Sequence, residues 1–169
     1  MSGDPEASAR GQAGVGIALS RKAESALLDW FPVNSRLCAV RLNGSVRVRR
    51  NKNSRRCLFV VSVYAPTDNS SDDLKDRFYS DLSGLLGNVR SSDIVMVIGD
   101  FNAQIGCLDE TERRFGGPFA VHARRTDNGD RLLNLCAQRG LFLANTNFQH
   151  RKRLCYVEAF NALTTMDTN

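Results

Sequence analysis

Five consecutive apolar residues, Ile94-Val95-Met96-Val97-Ile98, stand between Asp93 and Gly99, and a polar tetrapeptide, Gly99-Asp100-Phe101-Asn102, follows at once. A short apolar run rich in β-branched residues reads as a strand buried on both faces, the pattern of a strand inside an α/β sheet. Open α/β sheets carry their sites at the carboxyl ends of such strands. In extended backbone Asp100 and Asn102 share one side, and Phe101 takes the other, back toward the core. An acid and a carboxamide are thereby aimed at one phosphate or one water. Taken alone, the tetrapeptide fits equally well a polar strand exit with Gly99 as its hinge.

The chain has 169 residues, which suffices for one domain with a real core and not for two. No apolar stretch approaches the ~20 residues needed to span a bilayer, so no membrane partner is expected. Met1–Gly14 is small and polar and lacks the apolar centre of a signal peptide; the expected location is intracellular, nuclear or cytoplasmic. Five widely spaced cysteines (Cys38, Cys57, Cys107, Cys136, Cys155) form no C-x-x-C pair, and His122 and His150 share no ligand spacing with them. A disulfide framework and a zinc site are both disfavoured; a metal, if used, should be a hard, oxygen-ligated ion. The net charge of +5 favours an anionic partner.

Along the chain, residues 1–13 read as a disordered lead-in. Val15-Gly16-Ile17-Ala18-Leu19 reads as a short strand. Arg36–Leu42 alternates polar and apolar residues, predicting a strand with one wet face, and Cys57–Tyr64 predicts a more buried one. Arg47–Arg56 between them reads as a solvated hairpin connection. Ala65-Pro66-Thr67-Asp68 stops the second strand, because proline cannot continue a ladder. The clearest helix follows, with Leu74, Phe78, Leu82, Leu85 and Leu86 on one face, Ser70 or Ser71 as cap, and Gly87 at its end. Residues 103–126 lack any period and read as a long loop. A second helix is predicted over Asp130–Arg139, capped by Asp127 and closed by Gly140, with Leu132, Leu133 and Cys136 inward. Leu141–Ala144 then reads as a strand, and beyond Arg153 no period is evident. This order predicts a layered α/β protein with mixed sheets.

Several fragments, in this order, resemble one family. Val63-Tyr64-Ala65-Pro66, Gly99-Asp100-Phe101-Asn102, Asp127-Asn128-Gly129 and Asn145-Thr146-Asn147-Phe148 resemble the endonuclease/exonuclease/phosphatase superfamily. Within it they are most similar to endonuclease domains of non-LTR retrotransposons and to craniofacial-development-protein-like sequences, over about residues 12–153. The resemblance implies a four-layer α/β sandwich, two mixed sheets flanked by helices, and Mg²⁺- or Mn²⁺-dependent cleavage of a phosphodiester, with DNA as partner. It implies that Asp100 orients or deprotonates the attacking water, that Asn102 binds a non-bridging phosphate oxygen and aligns Asp100, and that the Tyr64 hydroxyl reaches the scissile phosphate. Those residue types suit the reaction, which needs a positioned water, a base, and donors or positive charge facing the developing anion.

Other family pieces have no counterpart. The strand carrying the principal metal ligand, a Glu, should precede Gly14–Ser20; Glu6 lies in no strand pattern and Glu24 comes too late. No Asp-His pair occurs, and neither His122 nor His150 stands in that context. The metal ligands are therefore unassigned, with Asp100 able to reach an ion through a water. The expected organisation is a lead-in over 1–13, an incomplete domain of this family over 14–153 and a divergent tail over 154–169. Uncovered sheet edges then invite self-association. Three functions follow in order: a phosphodiesterase or DNA endonuclease of weak or no activity alone, an inactive remnant that binds nucleic acid, and a phosphatase relative. Basic residues Arg49, Arg50 and Lys52 in the hairpin, and Arg151, Lys152 and Arg153, are the candidate nucleic-acid contacts.

Overall fold

A computed structural model describes residues 14–47, 55–120, 124–148 and 163–165. In chain order these form α1 (Arg21–Glu24), β1 (Leu27–Asn34), β2 (Leu37–Arg47), β3 (Arg55–Tyr64), α2 (Asp72–Leu86), β4 (Ile94–Asp100), α3 (Asp127–Arg139), β5 (Leu141–Leu143) and β6 (Leu163–Thr165). Short 3₁₀ turns occupy Glu112–Phe115 and Ala144–Asn147. The expected α/β class is borne out, with one mixed sheet in the order β1-β2-β3-β4-β6-β5. β1, β2 and β3 are an antiparallel meander. β3 and β4 run parallel, and α2 is the crossover between them. β6 pairs antiparallel with both β4 and β5. The described residues thus hold one sheet and one helix layer; a second sheet is not among them.

The helices cover one face. Leu37, Ala39, Phe59, Val61, Val63, Val95 and Val97 from the sheet meet Phe78, Leu82, Leu85 and Leu86 of α2 and Leu132, Leu133, Leu135 and Cys136 of α3. The opposite face carries Leu58, Val60, Ile94, Met96 and Ile98, each half-buried. β4 is therefore buried on one face rather than two, because the alternate residues meet no described helix.

Several expectations are corrected. Val15–Leu19 is no strand: Gly16 makes a single bridge, and Val15 N–H donates to Ser35 O at 3.1 Å. The strand that does pair with β2 is β1, where Pro32 hides the pattern; at the sheet edge its missing N–H costs no ladder bond. β2 has no wet face over Leu37–Leu42. Arg41 is buried there, donating to Asp29, Asp93 and Asn88 O, with its guanidinium over the rings of Phe31 and Phe59. On α2, Leu74 is exposed and Lys75 takes its place inside, since position 75 continues the 78, 82, 85 stripe. Lys75 Nζ is satisfied by Asp127, Asp72 and Asp68 O, at 2.7, 3.1 and 3.2 Å. α3 begins at Asp127 instead of Asp130, and its cap is Thr126, whose Oγ1 accepts from Gly129 N–H at 3.2 Å. Gly140 closes it in the left-handed region, as its sequence position predicts. β2 and β3 extend through Arg47 and from Arg55, so the hairpin connection is shorter than read from the sequence. β6 lies in the stretch for which the sequence offers no period.

Candidate active site

Tyr64 and Asp100 are register partners at the carboxyl ends of the parallel strands β3 and β4. Their neighbours Val63 and Phe101 enter the helix-side core at 2% and 0% exposure, so Tyr64 and Asp100 both turn to the other face. Burial of Phe101, worth about 2–3 kcal/mol, anchors the turn that follows. Gly99 makes the close approach of the two strands possible: a Cβ there would lie 1.9 Å from Val63 O. The sequence pattern Gly-Asp-Phe-Asn thus has three separate physical causes: close backbone approach, a site carboxylate and a core anchor.

Asn102 completes the group. Its backbone N–H donates to Asp100 Oδ1 at 2.8 Å, and its Nδ2 donates to Ala65 O at 2.9 Å. Ala65 N–H in turn donates to Asp100 O at 2.8 Å. Tyr64, Asp100 and Asn102, the three residues singled out from the sequence, are therefore brought together through Ala65. Each keeps a polar group without a described protein partner: the Tyr64 hydroxyl, Asp100 Oδ2, and the second N–H of the Asn102 amide. Such a set can hold a water against a carboxylate oxygen and present donors to an anionic oxygen beside it.

Two residues missed by sequence reasoning brace this group. Asn128, fully buried in the first turn of α3, donates through Nδ2 to Pro66 O at 2.9 Å and to Asn102 O at 3.2 Å. It locks the loop after β3 to the loop after β4, while its own carbonyl O accepts from the Tyr79 hydroxyl. The available signal was Asn128-Gly129 at a helix start: two weak helix formers in succession point to a tertiary reason. Arg36, between β1 and β2, donates from one guanidinium nitrogen to Tyr64 O at 3.2 Å and Ala65 O at 3.4 Å. Nothing in its sequence context marks it.

The remaining sequence candidates divide clearly. Arg49, Arg50, Lys52, Arg151, Lys152, Arg153, His122 and His150 lie outside the described residues. Cys38 and Cys136 are buried, and that burial pushes their thiols up to about 11 and about 12, so both stay protonated and inert as nucleophiles. Among the described residues no three His, Cys, Asp or Glu side chains gather to hold a metal ion. Asp100 and its neighbours therefore do not by themselves complete a divalent-ion site. No described helix is long and apolar enough to cross a membrane.

No family profile matches the chain. It is 30% identical over 143 residues to craniofacial development protein 2 of Tragulus javanicus and of Bos taurus, a match covering 85% of this chain. The chain spans under a quarter of those relatives, 23% and 22% of their lengths. Among solved structures it is similar to the endonuclease domain of TRAS1, a telomere-specific non-LTR retrotransposon, at 14% identity and a TM-score of 0.46, covering 83% of this chain and 54% of that one. It is also similar to the 3′ phosphatase NExo from Neisseria, solved with a product DNA hairpin, at 14% identity and a TM-score of 0.45, covering 78% and 52%. The resemblance to craniofacial-development-protein-like sequences, read from Tyr64-Ala65-Pro66 and Gly99–Asn102, extends over 143 residues, most of this chain.

Proposed function

We propose that this chain acts on nucleic acid as a phosphodiesterase, with hydrolysis centred on Tyr64, Asp100 and Asn102. The observation that carries the reading is the register pair Tyr64↔Asp100, tied through Ala65 to Asn102. Asp100 Oδ1 is held by the Asn102 N–H, which leaves Oδ2 to orient a water and take its proton. The Tyr64 hydroxyl and the free amide N–H of Asn102 supply donors to the phosphate oxygens, where negative charge grows during attack. DNA is the expected substrate by resemblance. A divalent ion belongs to the same expectation, and no step is assigned to it, because the described residues do not complete a site for one.

Nicking of supercoiled plasmid in Mg²⁺ or Mn²⁺ tests the reading. The wild type should nick faster than Asp100→Ala by about a hundredfold or more. Equal residual nicking by both proteins overturns intrinsic hydrolysis.

The incomplete ligand set favours one second reading, nucleic-acid binding without cleavage. It expects binding to a DNA duplex whose affinity falls steeply with salt while nicking stays at the Asp100→Ala level. Salt-insensitive or absent binding removes it.

A further inference from the structure

Arg36, like Asn128, touches the candidate site from outside both motifs, and of the two it is Arg36 that reaches Tyr64. Its attachment to Tyr64 is threefold. Tyr64 N–H donates to Arg36 O at 3.0 Å, the Arg36 guanidinium donates to Tyr64 O and Ala65 O, and that guanidinium lies 5.4 Å from the centroid of the Tyr64 ring. The base of this arm is itself fixed. Arg36 N–H donates to Asn34 Oδ1 at 2.8 Å, and Asn34 Nδ2 donates to Asp81 on α2 at 3.0 Å. Among the described residues Arg36 pairs with no carboxylate, unlike Arg41, Arg125 and Arg131. An arginine held in this way is ordered by two backbone carbonyls, both met by one terminal nitrogen, and by one aromatic face; the long, flat guanidinium suits that reach and that face better than the shorter, tetrahedral ammonium of lysine.

We infer that Arg36 is a positioning residue for Tyr64 and, through Ala65 O, for Asn102; this rests on the phosphodiesterase reading above. The ring of Tyr64 is held against the guanidinium, which fixes where the hydroxyl ends. Ala65 O accepts from both Arg36 and the Asn102 amide, so the same cation sets the carbonyl from which that amide is hung. Ala65 N–H continues the chain to Asp100 O. One side chain outside both motifs therefore fixes the spacing between the phenol and the carboxamide. Charge alone would be met equally well by lysine; positioning depends on the reach of the guanidinium and on its flat contact with the ring.

The test combines a kinetic cycle with a spectroscopic one. Plasmid nicking is measured for wild type, Arg36→Lys, Tyr64→Phe and the double variant, with circular dichroism melts to confirm folding. Positioning predicts that Arg36→Lys lowers kcat by about tenfold to a hundredfold with KM little changed. It also predicts that the loss in the double variant falls at least about threefold short of the product of the two single losses, since part of the effect of Arg36 passes through Tyr64. A loss confined to KM, a wild-type rate in Arg36→Lys, or losses that multiply would each overturn it. Independently, the Arg36 δ-methylene protons should resonate upfield in the wild type through the Tyr64 ring current and return to the ordinary arginine position in Tyr64→Leu. Absence of that shift overturns the inference whatever the kinetics. Should the wild type nick no faster than Asp100→Ala, the phosphodiesterase reading falls, and the ring-current result still decides whether Arg36 holds Tyr64.

Discussion

The Asn102 N–H reaches Asp100 Oδ1 at 2.8 Å from a left-handed backbone, φ 46°, the one positive φ at a non-glycine among the described residues. Asparagine tolerates that region better than most residues, and the turn it makes is what brings a main-chain donor back to a carboxylate two positions earlier. Side chain and backbone then separate as testable contributions. Asn102→Gly keeps the turn and loses the amide bond to Ala65 O, so it should cost about 1 kcal/mol. Asn102→Ala adds a Cβ in the left-handed region and should cost about 1 kcal/mol more than the glycine variant. Both should lose about a hundredfold or more in nicking rate, since each lacks the free amide donor. Urea denaturation beside the nicking assay checks the pair; an alanine variant at least as stable as the glycine one would contradict the argument.

Asn128 is the brace whose removal should be felt most. Asn128→Ala strips the donor from Pro66 O and Asn102 O at once, in a fully buried position. Leaving one buried and one half-buried carbonyl without this donor should lower stability by about 2–3 kcal/mol. Asn128→Asp should be worse, because it puts a carboxylate against those same carbonyl oxygens. Equilibrium urea unfolding measures both, and an aspartate variant as stable as wild type would show that the bridge is not made.

The contrast between Asn128 and Asp100 indicates what a sequence of this kind discloses. Asp100 was legible because strand periodicity fixes which way alternate residues point, and the apolar run Ile94–Ile98 marks the strand; Asn102, expected on the same side in extended backbone, instead follows the end of β4 in a left-handed turn. Phe78, Leu82, Leu85 and Leu86 were legible for the same reason on a helix. Leu74 and Lys75 were exchanged because periodicity places a stripe only to within one residue. The ion pairs that accept Lys75 come from Asp127, far along the chain. β1 was hidden by Pro32, whose harmlessness depends on edge position, a property of the assembled sheet. Arg36 and Asn128 act through backbone carbonyls of remote loops, and a carbonyl has no residue letter. The expected class of fold therefore came through, while the braces of the site did not.

Gly129 offers a sharp steric prediction. A Cβ there would lie 2.1 Å from Gln104 O, a backbone atom of the loop that follows Asn102. Gly129→Ala should push that loop off the start of α3 and cost about 3 kcal/mol or more, with loss of activity. Gly84, exposed within α2, has nothing within 4 Å of an added Cβ. Gly84→Ala should leave the site alone and stabilise by about 0.5–1 kcal/mol through helix propensity. Thermal melts of the two variants should move in opposite directions.

Acid sensitivity is written into the loop between the site and α3. Arg125 donates to Glu112 Oε1 and Oε2 at 2.6 and 2.7 Å, and also to Ile105 O and Cys107 O at 2.7 and 3.1 Å, so this one pair ties the loop to itself. The Arg125 hydrogen bonds hold the Glu112 carboxyl below its usual value, against the opposing pull of burial. A carboxylate depressed in the folded state contributes stability that is fully present above its unfolded value, about 4.3, and is lost as pH falls through the folded one. The urea midpoint should thus hold steady from neutral pH down to about 5 and then fall. Asp109 and Asp127 are also depressed, by hydrogen bonds from Thr111 and from Lys75, and add to the same decline. Glu112→Gln isolates the part due to this pair: it should cost about 1–2 kcal/mol at neutral pH and make the decline below about pH 4.3 shallower than in the wild type. Parallel acid profiles for the two proteins would mean that the Arg125 bridge contributes nothing to stability.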